Sequence, residues 1–400
     1  VSPLFNKSHP ILPVDIQSLL LTLLLISLFF PFYITLIVFC LVMIILAATG
    51  LLSVKQWPKH RTAKSIILFT VYALGISLIF HNWVGVLIAV GMIILLFFGF
   101  YYARAARVDY LEEIMNVSLI ASIILMFFAM MEHYGIIAEW DYTFLSKAMN
   151  KVHPSRVEAT FFNPNYFAMI LEFFSIFGLY QFIKAKRWLQ KLTYLALTLC
   201  NLYSLALTGC RTSYLVIIVA YYIFFFMIGY KKQAILSLIV LTTLAIVAFG
   251  MGYLPRFNEL TFAFSDRGEI WETACRALKD NFLFGQGPLT YMHVYSHYST
   301  HYTQHAHNIF LDILLSYGLV GTTLLAYPFY QLLKLFKRMS AYPALRLPLA
   351  LMVSLVSVIF THGLTDVTIF WIQTAGIFLA VILIAPNLLK SAQEGEKNFL

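Results

Sequence analysis

The chain has 400 residues, of which 61% are hydrophobic and 11% charged, with a formal net charge of +9. That composition cannot wet the surface of a soluble core, and the long apolar runs lack the alternation of a barrel strand, so the chain reads as a helical multi-span membrane protein. The positive charge gathers at the ends of apolar runs, which suits anchoring to anionic headgroups and argues against a nucleic-acid partner.

Apolar windows and their polar breaks predict twelve spans, near 14–30, 32–53, 64–80, 83–102, 111–131, 164–183, 192–208, 212–229, 233–253, 307–333, 345–361 and 367–388. With the N-terminus inside, Lys7, Lys390, Lys397 and the basic clusters at 55–64, 104–107, 184–191, 231–232 and 334–346 all fall on the cytoplasmic side. Both termini are therefore expected in the cytoplasm. The outer bases are Lys147, Lys151, Arg156, Arg211, Arg256, Arg267, Arg276 and Lys279. No cleavable signal peptide is expected, because the first apolar stretch continues into a second span. Cys40, Cys200, Cys210 and Cys275 show neither zinc nor redox spacing and read as small buried apolar residues.

Residues 1–131 read as membrane scaffold and lipid-tail contact, 132–388 as the functional core, and 389–400 as a cytoplasmic tail. In the scaffold, His81-Asn82-Trp83 forms a tight outer turn, and Glu112-Glu113 reads as a solvated helix start. In the core, Asn163-Pro164-Asn165 can turn the chain and cap the next helix. Glu172 lies inside the following span, where a carboxylate needs a partner or water. Arg211 sits in the very short turn Thr208-Gly209-Cys210-Arg211-Thr212-Ser213, where it either snorkels to headgroups or grips an anion.

The outer segment 254–306 carries a surface helix expected to start at Ser265 or Asp266, with Ile270, Trp271, Ala274 and Leu278 on one face. Arg267 on it either pairs with Glu269 or Glu272 or faces an anion. Gly285-Gln286-Gly287-Pro288 reads as a hinge. His293, His297, His301 and His305 recur every four residues, so on a helix they would form a stripe, and zinc remains an alternative to a tyrosine-rich headgroup or sugar surface. His307-Asn308 then opens a span in which Asp312 is a buried carboxylate able to orient His307. Asp366, in the last outer turn, is placed to pair with an Arg or with His307.

The order His307-Asn308, nine residues, Gly318, two residues, Gly321 resembles the H-[NSQ]-X9-G-X-X-G signature of bacterial O-antigen ligases and the related O-antigen polymerases. The turn around Arg211 is similar to the family's T-G-x-R-[ST] motif, and Asp266-Arg267 through Ile270-Trp271 to its second arginine motif. Arg156 with Asn163-Pro164-Asn165 resembles a pattern of polymerase-like members. The resemblance implies an all-α polytopic protein of the membrane-embedded C class of glycosyltransferases, with a large outer loop containing short helices. It implies His307 as catalytic base, Arg211 and Arg267 as diphosphate-binding residues, and Arg156, Asn163, Asn165, Asn308, Asp312 and Asp366 as supporting or glycan-binding residues, with no metal and no cofactor.

The expected reaction inverts the anomeric centre as a glycan leaves a polyprenyl (undecaprenyl) diphosphate donor for an acceptor hydroxyl, at the outer face of the bacterial plasma membrane. The acceptor is either a lipid A core, for a ligase, or a growing lipid-linked glycan, for a polymerase. Protein O-glycan transfer shares the same motifs. A transporter of lipid-linked glycan is the alternative of another class. It would show internal repeats and broken helices, and the sequence displays neither.

Overall fold

The computed structural model describes residues 13–53, 57, 59, 61–136, 156–252 and 260–397. Lys7, Lys55, Lys147, Lys151 and Arg256 lie outside the described residues, as does most of the segment 132–163. The described chain is helical, without a strand. In order its helices are α1 (Val14–Ser27), α2 (Phe32–Ala48), α3 (Arg61–Ile79), α4 (Trp83–Ala105), α5 (Tyr110–His133), α6 (Pro164–Lys184), α7 (Trp188–Leu207) and α8 (Thr212–Met227). There follow α9 (Lys231–Gly250), α10 (Leu260–Asp280), α11 (Thr290–Val294), α12 (Ile309–Met339), α13 (Arg346–His362), α14 (Ile372–Ile382) and α15 (Ala385–Lys397).

Each predicted span coincides with a helix, the last with the α14–α15 pair. Eight segments are long and apolar enough to cross a bilayer: α3, α4, α5, α6, α9, α12, residues 343–362 and residues 372–395. Shorter apolar helices lie at 16–27, 32–48 and 212–227. The chain is an integral membrane protein.

Helix α6 is the hub. Its residues from Phe167 to Gln181 are all buried, as expected of a helix that is apolar on every side, and α5, α7, α8 and α13 pack around it. By contrast α4 and α9 leave Leu87, Val90, Leu238, Ile239 and Ile246 exposed, a surface suited to lipid and not to water. Glu112 is no solvated helix start. It accepts hydrogen bonds from Tyr180 Oη and Gln181 Nε2, both at 3.0 Å, and pairs with Lys184 at 2.5 Å, tying the start of α5 to the end of α6.

The segment after α10 is held against α12 by a break in that helix. Gly318 has φ 58° and ψ −170°, and a Cβ there would stand 2.5 Å from the Leu283 carbonyl and the Phe284 nitrogen, so glycine is required on both counts. The backbone groups released by the break are taken up by the segment after α10. Leu319 N and Val320 N donate to Phe282 O and Leu283 O at 2.9 and 3.0 Å, while Gln286 N and Gly287 N donate to Ser316 O at 3.1 and 2.8 Å. A broken helix is thus present where the sequence displayed none, and the expected hinge at 285–288 is a clamp.

The α3–α4 pair reinforces it: Asn82 caps α4 through Gly85 N and donates to Gln286 O and Pro288 O, and Tyr72 Oη donates to Phe284 O and Tyr317 O.

Three further expectations for the segment 254–306 change. Helix α10 starts at Leu260, so Ser265 and Asp266 are interior to it and do not cap it. Its apolar face does form: Ile270, Ala274 and Ala277 pack with Tyr291, Val294 and Leu315. That buries Tyr291, which therefore belongs to the core and not to a sugar-stacking surface. The four spaced histidines do not share a helix, because helical structure ends at His297. Among the cysteines, Cys210 is buried as expected, but Cys40 and Cys275 are exposed.

Candidate active site

Five chain segments meet at one end of the bundle. The first precedes α6, where the Asn163 side chain accepts from Asn165 N at 2.8 Å and Pro164 fills the first turn, fixing the helix start. This spends Asn163 on capping. Asn165 is left to bridge two ionic groups: its Oδ1 accepts from Arg156 Nη2 at 2.5 Å and its Nδ2 donates to Asp366 Oδ2 at 2.5 Å. Arg156 Nε in turn donates to Thr208 O at 2.7 Å, which ties this segment to the α7–α8 turn.

That turn is closed by Gly209 at φ 61° and carries Arg211. From α10, Arg267 Nε donates to Thr365 O at 3.2 Å. The alternative surface pairs of Arg267 are not formed: Glu272 pairs with Arg276, and Glu269 accepts from Ser299. Thr212 and Thr365 join their hydroxyls at 2.5 Å.

A cavity opens between these segments, lined by Arg156, Asn165, Gly209, Cys210, Arg211, Thr212, Arg267, His362, Thr365 and Asp366, and enclosing about 340 Å³ with its mouth included. Three guanidiniums against one carboxylate give it a formal excess of two positive charges, the balance expected of an anion site.

The fifth segment leads into α12. Asn308 accepts from Phe310 N and Leu311 N at 3.0 Å each and donates to Leu364 O at 3.1 Å, while Ile309 N donates to Gly363 O at 2.7 Å. The asparagine of the motif is thus a helix cap and a clamp onto the end of α13. His307, just before it, takes φ 47°, a left-handed conformation that turns its ring towards Asp366.

His307 Nδ1 approaches Asp366 Oδ1 at 3.2 Å, off the ideal N–H line, and its Nε2 lies 3.2 Å from Thr303 Oγ1. Asp312, the other carboxylate expected beside His307, accepts instead from Ala306 N at 2.9 Å and so shapes the loop backbone.

Burial alone would raise the Asp366 carboxyl, but the imidazoles of His307 and His305 hold it well below the usual range, so it is ionised. Burial pushes the His305 imidazole down to about 4, with Asp366 opposing and His307 reinforcing the shift. His305, His307 and Asp366 place three metal-type ligand atoms within 4.8 Å of one another. The guanidiniums of the adjoining cavity disfavour a cation there and favour an anion.

Two residues, His362 in the cavity wall and Glu172 behind it, were not singled out together by the sequence. Glu172 on α6 has both carboxylate oxygens 3.0 Å from His362 Nδ1 on α13, and both residues are fully buried. The carboxylate within a span was itself the signal, since it demanded a partner.

Residues 196–326 match the family model described as O-Antigen ligase. Over that stretch the chain is similar to O-antigen ligases. The matched stretch contains Arg211, Arg267, His307, Asn308, Gly318 and Gly321, while Arg156, Asn165 and Asp366 lie outside it and join the site through the fold. The chain is also similar to the teichuronic acid biosynthesis protein TuaE of Bacillus subtilis (strain 168), at 26% identity over 88% of this chain and 79% of that protein. The resemblance read from the motifs is thereby borne out, and it points to a glycosyltransferase-type ligase or polymerase of polysaccharide biosynthesis.

Proposed function

We propose that the chain is a metal-independent, inverting glycosyltransferase of the membrane-embedded C class, acting on a polyprenyl-diphosphate-linked glycan at the outer face of the plasma membrane. The observation that carries this reading is the arginine-lined cavity sharing Asp366 with His307. Arg211 and Arg267 hold the diphosphate, with Arg156 behind them, fixed through Asn165. Guanidinium forks match paired phosphate oxygens and neutralise charge that grows as the bond to carbon breaks.

Ionised Asp366 keeps a proton on His307 Nδ1, which leaves Nε2 as the acceptor. That nitrogen takes the proton of the acceptor hydroxyl. The hydroxyl oxygen bonds to the anomeric carbon from the face opposite the diphosphate, and the bonding pair departs with the diphosphate. No covalent intermediate is needed, and the anomer inverts. We put this end of the bundle outside because the basic residues Arg104, Lys184, Arg187, Lys231, Lys232 and Arg346 gather at the other helix ends, the pattern of cytoplasmic loops.

For the acceptor, similarity to a teichuronic acid biosynthesis protein and the role of Asn165 in the site favour a polymerase, which extends a lipid-linked glycan, over transfer to a lipid A core. The test is glycan transfer from purified polyprenyl-diphosphate oligosaccharide in EDTA, comparing wild type with His307→Ala and Arg211→Ala. Lipid-linked chains should lengthen with wild type alone. Modification of a lipid A core would make the chain a ligase, and of a protein hydroxyl a protein O-glycan transferase. Full rate in His307→Ala would remove the general base, and passage of donor across vesicles without transfer would make the chain a transporter.

A further inference from the structure

The Glu172–His362 pair is a buried ionisable pair that the mechanism above does not use. Nδ1 of His362 stands 3.0 Å from both oxygens of Glu172, so Nδ1–H donates to the carboxylate, which fixes the ring. The other nitrogen is turned away from α6, towards the α7–α8 turn. Its neighbour there is Cys210 Sγ at 4.0 Å, a weak partner that leaves its hydrogen-bonding capacity largely unspent. Both line the arginine cavity, Cys210 beside Arg211 in the α7–α8 turn and His362 on the segment that leads to Asp366.

We propose that Glu172 and His362 form the floor of the anion site, with Glu172 as a positioning residue and His362 Nε2–H as a further donor to the diphosphate of the lipid-linked substrate. This rests on the reading of the cavity as a diphosphate site. The charges facing His362 are Glu172 from α6, Asp366 from beyond α13, and Arg156, Arg211 and Arg267 around the cavity. A fourth cation among three guanidiniums would be repelled on its own. Glu172 cancels that charge from below, so the pair adds a donor without adding net charge. A purely structural pair would gain little here, because two buried charges replaced by well-packed apolar groups often leave stability unchanged or improved.

The experiment measures binding of inorganic pyrophosphate to the detergent-solubilised full chain by calorimetry, with thermal melting as the folding control. His362→Gln and Glu172→Gln should each weaken pyrophosphate about tenfold or more, the scale of losing one charge-assisted hydrogen bond. Because Glu172 acts through His362, the double variant Glu172→Gln/His362→Gln should bind no more weakly than His362→Gln alone. The double variant leaves no unpaired buried charge, so it keeps the test decisive if either single variant fails to fold. In donor titrations the same changes should raise KM more than they lower kcat.

Folded variants that bind pyrophosphate as wild type does, whatever their melting temperature, overturn the inference. If Arg211→Ala weakens binding and the His362 and Glu172 variants do not, the floor assignment falls and the diphosphate cavity stands. A wild type that does not bind pyrophosphate removes both.

Discussion

His307 and Asp366 meet at 3.2 Å between Nδ1 and Oδ1, although one leads into α12 and the other follows α13. Asn308 holds the two loops together by capping α12 and donating to Leu364 O. Asp366→Asn preserves the shape of this contact and removes its charge, so the Nδ1 proton is no longer held. The expected outcome is a loss of roughly 100-fold or more in kcat for glycan transfer with little change in donor KM, as for removal of general-base function. Steady-state rates with a lipid-linked donor check it, and an unchanged kcat would show that Asp366 does not set the state of His307.

Asn165 joins Arg156 to Asp366 through the two ends of one amide. Asn165→Ala leaves both charged groups in place without the bridge. The cost of stranding buried polar partners is about 1–3 kcal/mol, so both stability and donor affinity should drop. Donor KM is expected to rise several-fold while kcat also falls, because Arg156 and Asp366 loosen together. If only melting temperature changes, the bridge is scaffolding and no part of substrate binding.

The residues legible in the sequence were those whose position is costly unless used. Arg211 stood out as a cation in a short turn between apolar helices and Arg267 through its resemblance to the second arginine motif, and the cavity gathers both. Asp312 and Asp366 looked equivalent as partners of His307, since sequence spacing carries no information about the loop after α13. Only folding sets Asp366 against the imidazole and sends Asp312 to Ala306 N. Glu172 announced a missing partner without saying that it was His362, because that contact runs between α6 and α13. The paired glycines of the α12 motif were readable as sites of close approach, yet nothing local told that the segment 282–287 fills a break at Gly318.

That break yields its own prediction. Gly318→Ala imposes a Cβ 2.5 Å from the Leu283 carbonyl at a φ of 58°. A strained left-handed residue alone costs about 1–3 kcal/mol, and the clash with backbone adds to it. Because Leu319, Val320 and Ser316 bond to the segment 282–287, the effect should appear there first, as faster hydrogen exchange or proteolysis near residues 281–288. Gly321→Ala also crowds, with Tyr317 Cβ at 2.5 Å and the Tyr72 ring at 2.7 Å, but it carries no positive φ and meets no backbone of 282–287, so protection of 281–288 should change less. Equal protection of 281–288 in wild type and Gly318→Ala would rule out this coupling.

The acid side of the stability curve should carry the signature of His305. Burial lowers its folded-state value to about 4 from the ordinary 6.5, so between those values the unfolded chain binds more protons than the folded one. Stability then rises with pH across that window, is complete above about 6.5, and is lost progressively as pH falls towards 4. Asp366, held well below the usual carboxylate range, contributes stability that is present above its unfolded value of roughly 3.9 and is lost only as pH falls further, through its folded value. The two effects therefore occupy different windows, and His305 governs the milder one. At about 1.36 kcal/mol per unit, the full His305 effect is on the order of 3 kcal/mol. Melting temperatures of the solubilised chain from pH 7 to pH 4.5 should fall for wild type and flatten for His305→Gln. An identical slope in the two proteins would assign the acid sensitivity to other groups.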